Sequence, residues 1–101
     1  MDKLLQMIGM AKRAGKVITG EMLSEKAVKA GESFLVIIAA DISDNGRKSI
    51  INSCNHYNVE YIEYADRALL GKFTGGGERT VISINDRGFA DTIKSKYYAQ
   101  A

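Results

Sequence analysis

The sequence predicts an α/β fold, a three-layer α/β/α sandwich around a small mixed β-sheet. Three observations carry that expectation: apolar residues recur at helical spacing in short blocks, these blocks alternate with β-branched runs, and residues 34–40 (FLVIIAA) are apolar without interruption. An unbroken apolar run reads as the middle strand of a sheet covered on both faces. Alternating strands and helices then require crossover connections, hence a largely parallel or mixed sheet between two helical layers.

Asp2 is a candidate N-cap for a first helix in which Leu4, Leu5, Ile8, Met10 and Ala11 fall at helical spacing, with Gly15 as its stop. Residues 16–19 form a short extended segment. Gly20 opens a second helix with Leu23, Ala27 and Val28 expected on its buried face, and with Glu21, Glu25, Lys26 and Lys29 outside. Gly31 ends it. After the central strand, Asp41 closes the run and Ser43 or Asp44 caps a third helix, whose buried stripe of Ile50, Ile51 and Cys54 ends near Tyr57. Residues 59–64 read as a strand. Asp66 starts a short helix containing Ala68, Leu69 and Leu70, and the glycine-rich loop at 74–77 leads into a last strand at 79–84. Asp86 caps a final helix that reaches about Tyr97.

A chain of 101 residues with 46% hydrophobic content can bury one core, so one domain is expected over residues 1–101. The net charge of +2 makes the placement of the cations, and not their number, the test of a polyanionic partner. The single cysteine, Cys54, has no internal disulfide partner, which suits a reducing cytosol and a buried structural thiol. No run approaches the roughly 18 apolar residues of a membrane helix, and residues 1–12 lack a secretory h-region, so a cytoplasmic protein is expected.

Catalytic chemistry finds little to use. With one His and one Cys there is no set of zinc ligands, and no serine sits in a nucleophile elbow. His56 falls at a helix end, where a cation favours the helix dipole. Residues 71–77 (GKFTGGG) lack the phosphate-loop order GxxxxGK[ST] and precede a strand where such a loop precedes a helix. The expectation is a protein that is not an enzyme and needs no metal or cofactor.

Cations form three clusters: Lys12, Arg13 and Lys16; Lys26 and Lys29; and Lys72 with Arg79. In an alternating sandwich, the loop before the second helix and the loop before the last strand can open on one edge. That edge would offer a helix N-terminus, glycine N–H groups and cations to phosphates. Such an edge suits structured RNA, whereas the aromatics do not form the paired stacking motif of a single-strand-binding sheet. Phe73, beside the glycine loop, reads as core before stacking platform.

Five segments carry a family resemblance: MIGMAKRAGKVITGE at 7–21, KAVKAG at 26–31, AADIS at 39–43, CNHYNVEYIEY at 54–64 and ALLGKFTGGGERTVISI at 68–84. In order and spacing the chain resembles the kink-turn-binding ribosomal-protein superfamily (ribosomal protein L-seven-A-e and L-thirty-e type), and within it the bacterial YlxQ-like branch. The resemblance implies the same α/β/α fold and binding of structured RNA, the sharply bent kink-turn included, in a ribosome-associated accessory role. By motif position it implies contacts from Gly20, Lys26, Asp41, Ile42, Gly75, Gly76, Gly77, Arg79 and Thr80, with Lys12, Arg13 and Lys16 widening the basic edge. The resemblance also points to ribosomal or translation-factor proteins as further partners, and DNA is not expected.

The family motif G-x-N-E-x-x-K has Asn and Glu where this chain has Met22 and Leu23, and neither side chain can hydrogen-bond a base edge. The alternative reading is therefore a protein-interaction module of the same fold, with Met22 and Leu23 exposed as part of a protein interface. Against it, Leu23 is expected to point into the core.

Overall fold

The computed structural model describes residues 2–100. Its elements run α1 (Lys3–Arg13), β1 (Val17–Thr19), α2 (Glu21–Lys29), β2 (Leu35–Ile38), α3 (Asp44–His56), β3 (Tyr61–Glu63), α4 (Arg67–Phe73), β4 (Val81–Ile84) and α5 (Arg87–Ala99). The apolar run becomes β2, with all four residues fully buried. Asp2, Ser43, Asp66 and Asp86 cap α1, α3, α4 and α5, each side chain accepting a backbone N–H from the first turn.

The strand order is β1-β4-β2-β3, so β2 shares the interior of the sheet with β4. Of the three pairings only β2 with β3 is parallel; β4 runs antiparallel to both β1 and β2. The sheet is mixed because the chain enters β4 from the edge at which β1 and β2 leave.

Pleating divides the core in two. Leu35, Ile37, Ile62, Ile82 and Ile84 pack beneath Leu4, Ile8, Leu70 and Ile93 of α1, α4 and α5. On the other face Val36, Ile38 and Val81 meet Val28, Ile50 and Cys54 of α2 and α3. Each Ile or Leu taken wholly out of water in this way contributes about 1.5–3 kcal/mol. Ser83, polar and fully buried on the second face, hydrogen-bonds Ser33 Oγ at 2.7 Å and Asn85 Oδ1 at 2.6 Å.

The structure corrects several expectations. Leu23 does not point into the core: it is 56% exposed, and the buried stripe of α2 is Ser24, Ala27 and Val28. Met10 and Leu69 are also exposed, at 47% and 38%. β2 and β3 are shorter at both ends than the expected runs, and β1 and β4 start later but end as expected; Phe34 is left outside β2, its ring centroid 5.0 Å from the Arg87 guanidinium above it. Helix α5 extends past Tyr97 to Ala99. Phe73 is half-buried against the first core, and His56 closes α3, exposed and edge-on to Tyr57.

Candidate nucleic-acid interface

The register places the ends of β1, β2 and β3 and the start of β4 on one edge. Thr19 pairs with Ile82, and Ile38 pairs with both Val81 and Glu63, so the chain leaves three strands where it enters the fourth. Backbone hydrogen bonds stitch these segments together. Gly20 N–H donates to Val81 O (2.9 Å), Ala39 N–H to Thr80 O (2.8 Å), Ala40 N–H to Ala65 O (2.9 Å) and Arg79 N–H to Arg67 O (3.0 Å). The loops before α2 and before β4 thus open on the same edge.

Gly20 is the N-cap of α2, with φ +100 and ψ 153, a conformation that side chains rarely adopt. It provides no side-chain cap, so the first-turn N–H groups of α2 keep the partial positive charge of a helix start. Glu21 is drawn across the edge, accepting a hydrogen bond from Thr80 Oγ1 at 2.7 Å. Met22 and Leu23 follow, 78% and 56% exposed. Lys26, one turn on, is exposed, and among the described residues it forms no ion pair, whereas Lys29 pairs with Glu25 at 3.0 Å.

The glycine loop folds back on α4. Gly76 N–H donates to Gly71 O at 3.1 Å, and a Cβ on Gly71 would overlap the Gly77 carbonyl. Gly75, Gly76 and Gly77 are exposed. The Arg79 guanidinium lies against Gly76, where a Cβ would come within 2.6 Å of Nη2. Its Nε is buried and donates to no described protein atom.

After β2, the Asp41 carboxylate accepts from Arg67 N–H (2.9 Å) and from Arg67 Nε (3.3 Å), and the Arg67 Nη2 donates to the Asp41 carbonyl. Asp41 is thus engaged in holding the start of α4. Ile42 is 8% exposed and packs into the second core, so its side chain is withdrawn from the edge.

Not every predicted site residue joins this edge. Lys16 lies at the far end of β1, its carbonyl accepting from Asn85 N–H, and Lys12 and Arg13 form the last turn of α1. Gly20, Asp41, Arg79 and Thr80 thus lie on this edge, with the loop Gly75, Gly76 and Gly77 against Arg79 and Lys26 further along α2, whereas Lys12, Arg13 and Lys16 lie apart. Sequence reasoning missed Arg67 as the clamp of this edge, because its partner is 26 residues away and nothing beside it marks the pairing.

The Cys54 thiol, fully buried in the second core, is raised to about 11 by burial and by the nearby Glu25 carboxylate, which keeps it protonated and unreactive. Among the described residues no group of three or more His, Cys, Asp or Glu could hold a metal ion, and no helix is long and apolar enough to cross a membrane.

A three-layer sandwich whose loops and one uncapped helix start share a cationic edge is the architecture of a small ribosomal-protein-type domain. Residues 2–93 match the sequence profile of the ribosomal protein L7Ae/L30e/S12e/Gadd45 family, and the chain belongs to that family. It is 37% identical to the RNA-binding protein YlxQ of Bacillus subtilis over 89 residues, 88% of this chain and 89% of that protein. The Enterococcus faecium protein of the same name is 35% identical over 92% of this chain and 89% of its own length. Large ribosomal subunit protein eL8 of Thermoplasma volcanium is 32% identical over 86% and 73%. Among solved structures, a Bacillus halodurans protein of unknown function superposes with a TM-score of 0.91 at 32% identity, covering 95% of this chain and 97% of that one. The Giardia lamblia 15.5kD RNA binding protein superposes at 0.79 with 25% identity over 97% and 87%.

Proposed function

We propose that this chain is a cytoplasmic, ribosome-associated accessory protein that binds structured RNA, the kink-turn among its targets, through the edge built from Gly20, Lys26, the glycine loop, Arg79 and Thr80. The observation that carries this reading is the convergence on one edge of an uncapped helix start, three exposed glycines and two cations free of carboxylate partners among the described residues. Family membership and relatives named RNA-binding support it. Backbone N–H groups and a helix start follow the shape of a bent RNA backbone, while Lys26 and Arg79 neutralise phosphates. Met22 and Leu23 have no base-edge hydrogen bonds to offer, so shape and phosphate contacts carry the affinity.

The test is a fluorescence titration against a kink-turn RNA, a straight duplex and a single strand at two salt concentrations. The expected result is preference for the kink-turn, with a log–log salt slope that falls by about 0.9 for each phosphate left unneutralised in Lys26→Ala and Arg79→Ala. Equal, weak binding to all three RNAs would overturn the reading. The exposure of Met22 and Leu23 favours a second reading, a protein-interaction module; crosslinking that recovers protein and no RNA would select it.

A further inference from the structure

Arg13 and Lys72, left out of the edge, line one groove between α1 and α4 with Gln6, Gly9, Met10 and Phe73. The groove holds about 520 Å³, within the ~300–1,000 Å³ range of small-ligand clefts. Among the described residues no acidic side chain lines it and neither cation forms an ion pair. Each lies in the last turn of its helix, where a cation complements the dipole. A helix end accounts for one cation on its own surface; it does not account for two that line the same groove with no carboxylate among its lining residues.

Gly9 also lines the groove. A Cβ there would sit 3.4 Å from Phe73 O and 3.9 Å from the Phe73 ring, so α1 and α4 are in contact at this point, and the exposed Met10 lines the groove with Phe73. Arg13 Nη1 lies 3.7 Å from the same point, which places the guanidinium over the groove. Lys72 follows Gly71, whose backbone is packed against Gly77, so the groove adjoins the glycine loop.

We propose that this groove is a second nucleic-acid contact, which takes one nucleotide of an unpaired strand leaving the RNA seated on the edge. The proposal rests on the reading of the edge given above. The phosphate lies between Arg13 and Lys72, and the base or ribose packs on Met10 and Phe73, the combination of charge and apolar surface that holds unpaired strands. Charge complementarity and continuity with the edge select a nucleic-acid strand over a protein segment.

The experiment compares blunt RNA with RNA carrying a short unpaired tail at either end, bound to the wild type and to the double variant Arg13→Ala, Lys72→Ala. Both residues are exposed, so the variant keeps the core intact. The expected result is a several-fold gain from one of the tails in the wild type, absent in the variant, with blunt RNA bound equally by both. A wild type that gains nothing from either tail would overturn the groove, as would a variant weakened equally on blunt and tailed RNA. Failure of the wild type to bind blunt RNA would overturn the edge reading too, which separates the two failures.

Discussion

Arg79 and Gly76 act as a pair, and their geometry makes a residue-scale prediction. A methyl group at position 76 would meet Nη2 at 2.6 Å, so Gly76→Ala displaces the guanidinium without touching the core. RNA titrations are expected to show a weakening for Gly76→Ala similar to that of Arg79→Ala. The double variant should be no weaker than the weaker single one, because both changes remove the same interaction. Additive effects would separate Gly76 from Arg79. At the same scale, Leu23 shows where side-chain type misleads. A leucine is the natural choice for the buried stripe of α2, yet the small, fully buried Ser24 takes that place. Helix phase is set by what fits against the sheet and α3, and hydrophobicity by itself does not report fit.

Helix starts were legible because capping is local. Asp2, Ser43, Asp66 and Asp86 each lie next to the helix they cap, and each accepts the N–H three residues on. Asp2 adds a pH dependence. Burial pushes its carboxyl up, but hydrogen bonds from the Tyr64 hydroxyl and from the Leu5 and Leu4 N–H groups outweigh this and leave it below its ordinary value. A carboxylate depressed in the folded state stabilises the protein above its unfolded pKa, and that contribution is lost as pH falls through the folded value. Asp2→Ala is therefore expected to cost about 0.5–2 kcal/mol at neutral pH. The gap between variant and wild type should close as the pH is taken below about 3.9, the unfolded value. Thermal unfolding across that range checks it; a gap independent of pH would assign the effect to something other than the carboxylate. Strand ends were less legible, since the apolar run continues beyond β2 into buried Ala39, whose N–H still bonds Thr80 O although the strand has ended at Ile38.

Across the whole molecule, Ile37 sits fully buried at the centre of the first core, on the strand that pairs with both β3 and β4. Ile37→Ala is expected to destabilise by about 2–5 kcal/mol through reduced burial and the cavity left behind. If the chain is one cooperative domain, as the sequence leads one to expect, denaturant unfolding should remain a single transition of unchanged slope for both proteins. Two transitions, or a change confined to part of the signal, would divide the chain into separate units.

Alone, the sequence determined the element types, their order, the capping residues (the third helix to within Ser43 or Asp44) and the strand buried on both faces, because periodicity, caps and apolar runs are properties of neighbouring residues. Its family motifs also pointed to Gly20, Lys26 and the glycine loop. Only the tertiary structure decided that β4 inserts between β1 and β2, that Arg67 clamps Asp41, that Lys12, Arg13 and Lys16 stand apart from the edge, and that Leu23 faces outward. Those outcomes depend on contacts between residues distant in the chain, and the energies that choose among them arise when the two helical layers close on the sheet.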